Sequence, residues 1–411
     1  MTRPTIHGLR AMSGRDPTDV HRAATSLELL FDLAFVVAFS VAGSEFAHLI
    51  AEGHYGAGFY GFLFAMFAVV WAWINFTWFA SAYDTDDWVY RVTTMVQMIG
   101  VIILALGLPA VFESIDSGER IDNRAAVVGY VVMRVPMVSQ WLRAARQDPA
   151  RRRTCLTYAI TITVSQVAWI LLLFVDVRAT TMLLFFVPGI LFELAGPVIA
   201  ERRTDGTPWH PHHIAERYGL LAIIALGEVL LGTTASLDAV IDESGWTFDV
   251  VLFMVGGVGL TFGMWWIYFL LPAGDVLRHH RDRSFVWGYG HYFVYASIAA
   301  VGAGLHVVAL HLEHLAHISA TAVMLSVAIP VAIYFVSLGV LFGNLVGLHA
   351  HATAITLLKL GIVALSVVLA AAGVDLSICI VVVALAPVVS VVAQEIGGAE
   401  RMEQHVQEAI R

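Results

Sequence analysis

The sequence predicts an all-α, polytopic integral membrane protein: a helical bundle of about twelve transmembrane helices in two tandem six-helix halves. Three observations predict it. Of the 411 residues, 59% are hydrophobic and only 13% charged, against roughly 45–50% and about 25% in soluble domains. The apolar residues fall in runs of about 20, enough to cross ~30 Å of hydrocarbon at ~1.5 Å per residue. Those runs do not alternate as barrel strands would, so helices are the way to satisfy their backbones in lipid.

In chain order, a polar and basic segment, 1–26, carries Arg3, Arg10, Arg15 and Arg22. The first apolar run is long enough to span, so it is expected to stay as a signal anchor. The first half, 27–200, holds spans near 27–50, 59–82, 92–112, 125–142, 154–175 and 181–200. A linker, 201–212, leads to the second half, 213–394. Its spans lie near 213–236, 249–271, 286–310, 320–341, 353–372 and 377–394, and a tail, 395–411, follows.

Cations set the expected orientation. The N-terminus, alternate loops and the C-terminus collect 17 of the 23 Lys and Arg residues, while the opposite side has only Arg120, Arg124 and Arg178. Arg134, Arg217 and Lys359 fall inside spans. The basic side belongs in the cytoplasm, so both termini are expected there, in a multi-pass protein of the bacterial plasma membrane. The cluster Arg143, Arg146 and Arg151–Arg153 fits a topology-setting loop, with anionic lipid head groups as its other reading.

The halves resemble each other. Leu27-Glu28-Leu29-Leu30-Phe31-Asp32 opens the first, and Ala215-Glu216-Arg217-Tyr218-Gly219-Leu220 opens the second, 188 positions later. Six spans per half give both copies the same orientation, a parallel pseudo-repeat about an axis along the membrane normal.

Charges within spans are costly and need a reason. Glu28 and Asp32 are spaced i, i+4 and share one face, which reads as a proton or cation site or as ion pairing to a neighbouring helix. Glu228 lies about 16 Å of helix beyond Arg217, near the midplane. Arg134 is similarly central, and its economical partners are Glu228 or Glu193. Lys359 is close enough to the span end to snorkel. In span 2, Trp71, Asn75 and Trp78 share a face, a ligand-stacking wall or an aromatic belt with a packing Asn. Asp84, Asp86 and Asp87 follow it, three acids against the local charge trend.

The histidines form two groups: His210, His212 and His213 with Glu216, and His311, His314 and His317 with Glu313. Both straddle loop ends and neither makes H-E-x-x-H, so no metal is expected. His291 and His306 are better placed for proton relay. Cys155 and Cys379 have no metal or disulfide spacing. No phosphate-binding, dinucleotide or G-x-S-x-G motif is present, so neither a cofactor nor nucleic acid is expected. The expected partners are the lipid bilayer and a small molecule or ion. The glycine spacings Gly259/Gly263 and Gly339/Gly343/Gly347 permit close packing, within the chain or in a homo-oligomer.

Glu28-Leu29-Leu30-Phe31-Asp32-Leu33-Ala34-Phe35-Val36, Trp73-Ile74-Asn75-Phe76-Thr77-Trp78-Phe79 and Tyr83-Asp84-Thr85-Asp86-Asp87 resemble signature blocks of the bacterial low temperature requirement protein A family. Glu216-Arg217-Tyr218-Gly219-Leu220 through Ala225-Leu226-Gly227-Glu228 resembles a third block. The resemblance implies a multi-pass bacterial plasma-membrane protein, and it brings no substrate, cofactor or catalytic residue.

The expected function is a secondary, ion-coupled transporter or permease. Asp32, Glu216 and Glu228 are read as its acidic site, with Arg217 or Arg134 setting their charge and Glu28, Asn75 and Asp84 as further binding candidates. The alternatives are an intramembrane enzyme with a His/Glu site and a non-transporting stress-adaptation protein.

Overall fold

A computed structural model of the chain describes residues 8–410 except 18, 20, 21, 119, 176–178, 204, 205, 348, 349 and 397. Arg3 and Arg178 therefore lie outside the described residues. The helices are α1 (Ser26–Ala51), α2 (Tyr55–Tyr83), α3 (Trp88–Asp116), α4 (Arg124–Gln147), α5 (Arg152–Leu172), α6 (Ala179–Glu201) and α7 (Pro211–Ser244). They continue as α8 (Phe248–Tyr268), α9 (Ala273–His279), α10 (Ser284–Leu312), α11 (Ala320–Val346), α12 (Ala350–Ala371), α13 (Leu376–Glu395) and α14 (Gly398–Ala409). Among the described residues there is no strand, and twelve helices, all but α9 and α14, are long and apolar enough to cross a membrane. Large apolar side chains such as Leu106, Val135, Leu184 and Leu357 point outward, where the bilayer covers them.

The helix ends follow local chemistry. Thr25 and Glu28 form a capping box: the Thr25 N–H donates to Glu28 Oε2 at 2.7 Å, and the Glu28 N–H donates to Thr25 Oγ1 at 3.2 Å, so two orphan donors are satisfied reciprocally. Asp87 caps α3 by accepting the Tyr90 N–H at 2.9 Å, and Asp375 caps α13 through the Ser377 N–H at 2.8 Å. Past the end of α1 the chain turns at Gly53, whose φ of 83° suits glycine. Several helices outrun the apolar spans: α3 extends the expected 92–112, and α7 the expected 213–236. The extra turns contain Glu113, Asp116, Asp238 and Asp242, since a helix beyond the hydrocarbon needs no apolar side chains.

The chain packs as two compact units, the first Met1–Val41 with Phe67–Arg217, the second Ala42–Met66 with Tyr218–Arg411. In the first unit, α3 packs on α4, α4 on α5 and α5 on α6. Backbones touch where α3 meets α4: a Cβ on Gly129 would stand 2.6 Å from Leu104 N and 2.7 Å from Gly100 O. In the second unit α10 packs on α11, α11 on α12, α12 on α13, and α13 on α8. α10 is enclosed over nearly its whole length. The Gly256, Gly259 and Gly263 stripe of α8 faces Ile380, Ala384 and Pro387 of α13, so this small-residue spacing serves packing within the chain.

Candidate functional site

Three helices each supply to the first unit a pair of residues four apart, and the pairs converge. α1 brings Glu28 and Asp32, α2 brings Trp73 and Thr77, and α7 brings His213 and Arg217. Residues four apart stack on one helix face, so three stripes meet side by side. Between α1 and α7 the register is parallel. His213 Nε2 lies 3.1 Å from Glu28 Oε1, and Arg217 Nη1 lies 3.3 Å from that same oxygen. Arg217 Nη2 donates to Asp32 Oδ1, and it also reaches Thr77 Oγ1 at 3.4 Å. The side chains of Glu28, Asp32, His213 and Arg217 are all 0% exposed.

Aromatic rings close the site. The Trp73 indole N–H donates to Asp32 Oδ1 at 2.7 Å. The Arg217 guanidinium lies 5.8 Å from the Trp73 ring centroid and 5.9 Å from that of Phe76, close enough for cation–π attraction. Phe31 stacks on Phe76 with centroids 3.7 Å apart. Polar capacity is left over in this buried setting. Asp32 Oδ2, His213 Nδ1 and Arg217 Nε are buried and have no hydrogen-bond partner among the described residues. Two carboxylates face one guanidinium, so with His213 neutral the four groups sum to −1.

In a second buried pair of this unit both carboxylate oxygens are engaged. Arg134 Nη1 lies 2.7 Å from Glu193 Oε1, and Nη2 donates to Oε2 at 2.8 Å. The Trp169 and Trp71 indoles add donors to those two oxygens at 2.9 and 3.0 Å. Each carboxylate oxygen thus has an indole and a guanidinium nitrogen. Of the two acids expected opposite Arg134, the partner is Glu193.

Asp84 and its neighbours serve the segment ahead of α1. Arg15 Nη2 is 3.8 Å from Asp84 Oδ2, and Arg15 Nε donates to Asp84 O at 3.0 Å. Arg22 donates to Ala80 O at 2.7 Å and to Ser81 O. Asp86 holds Arg91 through bonds of 2.8 and 2.9 Å. Asp87 binds the Arg143 guanidinium and the Arg10 N–H, the latter at 3.2 Å. Burial and the nearby Glu28 charge push the Asp84 carboxyl up to about 6. Burial also pushes Asp87 up, but Arg143 and the N–H groups of Tyr90 and Arg10 outweigh it and bring it to about 2.

The grouping of Asp32, Glu216 and Glu228 into one site does not occur in the first unit. Glu216 is exposed, because a helix position next to the buried Arg217 points about 100° away from it. Glu228 is buried in the second unit, beside Gly43 of α1 and where Gly302 of α10 meets α7. Asn75 returns its amide to Trp71 O in its own helix at 2.8 Å. His210 contacts Asp19 O at 2.7 Å. Among the described residues, no three His, Cys, Asp or Glu side chains gather as a metal set. In the second unit His291 is satisfied on both nitrogens, by Trp287 O at 2.7 Å and the Tyr268 hydroxyl at 2.9 Å. The His306 and His48 rings lie 5.6 Å apart. Lys359, expected to snorkel, is instead buried, with Nζ 4.6 Å from the Phe335 ring centroid.

Sequence reasoning passed over Trp73 and Thr77 and left His213 in a metal group. The usable signal was the shared spacing: Trp73/Thr77 and His213/Arg217 repeat the i, i+4 step of Glu28/Asp32.

Twelve apolar helices and an ion-paired cluster buried among three of them define a multi-pass helical membrane protein. The chain belongs to the bacterial low temperature requirement A protein (LtrA) family, whose model matches residues 23–389. It is similar to uncharacterized protein RA0937 of Rhizobium meliloti (strain 1021), at 26% identity over 324 residues, covering 74% of this chain and 73% of that protein. No solved structure matches it.

Proposed function

We propose that this chain is a secondary, ion-coupled transporter or permease, with the Glu28–Asp32–His213–Arg217 cluster as the site of its coupling ion, a proton or monovalent cation. The observation that carries the reading is Asp32 Oδ2, a buried carboxylate oxygen with no hydrogen-bond partner among the described residues. A buried acceptor left unmade costs about 1–3 kcal/mol, more when charged, and ionisable groups within spans mark ion and proton pathways. The comparison with Glu193 supports this reading. There both carboxylate oxygens accept hydrogen bonds, the pattern of a structural pair; here Asp32 Oδ2 accepts none among the described residues.

In this reading Arg217 keeps Glu28 and Asp32 together without neutralising both, and the arriving cation completes the balance. His213, with one ring nitrogen on Glu28 and the other unpartnered, can pass a proton between its two nitrogens. The similar openings of the two sequence halves, if they reflect a parallel repeat, supply the two-part architecture on which alternating access works. With both termini cytoplasmic, as the cation distribution indicates, the cluster sits at the cytoplasmic end of α1.

A pH jump on proteoliposomes adsorbed to a solid-supported membrane tests the site without a known substrate. The wild-type protein displaces charge as the cluster takes up or releases its ion, and Asp32→Asn loses most of that displacement. Equal displacement by the two proteins, both shown to be folded, would overturn the assignment.

A further inference from the structure

The chain has one lysine. Of its 23 cationic side chains the other 22 are arginines. An arginine in a protein keeps its charge, whereas a buried lysine readily gives up its proton. The single lysine is not on the surface, where Lys and Arg interchange most freely. Lys359 lies nine residues into α12 and is 5% exposed, ~13 Å along the helix from its start.

The buried arginines of the spans have acids beside them: Arg134 has Glu193, and Arg217 has Glu28 and Asp32. Lys359 has no carboxylate partner among the described residues, and its close contact is the Phe335 ring. The helices packed on α12 are α11 and α13. Their titratable side chains are Tyr334 on α11, and Cys379 and Glu395 on α13; α12 itself adds His351 near its start. The Tyr334 hydroxyl is committed to Met264 O at 2.6 Å. Cys379 points its thiol toward Val374 O at 3.8 Å. Glu395 is exposed at the last residue of α13. No cation of fixed charge stands on α11 or α13 to compete with the amine.

Residue type and environment therefore agree. Where a buried cation within a span has no acid beside it, the chain places its one lysine. The Phe335 ring face favours the ammonium when it forms, yet it does not lock the proton in place as a carboxylate would. We propose that Lys359 is a proton-binding site of the second unit, its amine taking up and releasing H⁺ while the protein works. The step is the association of a proton with the amine lone pair, NH₂ to NH₃⁺, and no other bond forms or breaks. This inference uses none of the groups in the Glu28–Asp32 cluster.

The single lysine makes the test direct. Full-length protein grown with lysine carrying ¹³C at Cε and placed in lipid nanodiscs gives one labelled resonance. That resonance is expected to shift through a one-proton titration across the neutral pH range. Phe335→Leu is expected to move the midpoint to lower pH, since the ring no longer favours the cation. A resonance fixed at the ammonium position throughout the neutral range would overturn the proposal, and equal midpoints in the two proteins would overturn the role of the ring. The charge-displacement experiment on Asp32→Asn is read separately, so failure of one inference does not imply failure of the other.

Discussion

Trp73 donates its indole N–H to Asp32 Oδ1 at 2.7 Å, and the same oxygen receives Arg217 Nη2. One oxygen of this carboxylate thus carries two donors and its twin carries none. The asymmetry distinguishes the side of Asp32 that is held by donors from the side that has none among the described residues.

Trp73→Phe removes the donor and keeps an aromatic ring in the wall. A hydrogen bond to a charged group contributes about 1.5–3 kcal/mol, so the variant is expected to lose stability in that range. Denaturant unfolding in detergent measures it, and a loss below about 0.5 kcal/mol would show that the indole is a packing residue only.

Arg134 and Glu193 should behave as a structural unit. Arg134→Met alone leaves a buried carboxylate without its cation and is expected to cost about 3–5 kcal/mol. Adding Glu193→Gln removes the stranded charge while the side-chain carbonyl still accepts from an indole, so the double variant should recover much of the loss. A double-mutant cycle by thermal unfolding checks the coupling. The double variant is also expected to keep the charge displacement that Asp32→Asn loses.

Asp84 and Asp87, three residues apart, should have opposite effects on stability as pH changes. Asp84 titrates at about 6 when folded, above its ordinary value of 3.8, so the folded protein holds that proton more tightly than the unfolded chain. Its contribution is complete at low pH and is lost as pH rises through about 6. Asp87 titrates at about 2 when folded, so its contribution is present above the ordinary Asp range and is lost only as pH falls toward about 2. At neutral pH Asp84→Asn is expected to raise stability by about 1–2 kcal/mol, a gain that vanishes below pH ~4. Asp87→Ala removes a helix cap and an arginine partner, and should lower stability by at least about 1 kcal/mol. Unfolding midpoints on either side of pH ~6 separate the two.

The spans were legible because their information is local: an apolar run of sufficient length announces itself whatever lies across from it. The i, i+4 spacing of Glu28 and Asp32 was equally visible. Their partners were not, since Arg217 is 185 residues from Asp32 in the chain, and no single-sequence pattern pairs residues over that distance. Glu216 stands beside Arg217 in sequence, but helical rotation puts it on another, exposed face. Trp73 was obscured by Trp71 and Trp78, which share a stripe with Asn75. The burial of Lys359 is not legible in its own segment either, because it depends on Phe335 of α11 and on the packing of α11 and α13 against α12.

Glu28 holds two appointments at once. Its carboxylate closes the capping box with Thr25 at the first turn of α1, and it also faces His213 and Arg217. A proton landing on it weakens both contacts in one event. The buried cluster and the point where the N-terminal segment enters the helix therefore meet at one carboxylate. In that segment Arg10, Arg15 and Arg22 grip the end of α2 and the turn that follows it. The first turn of α1 is thus the place where the buried ionic cluster and the segment ahead of the helix share one side chain.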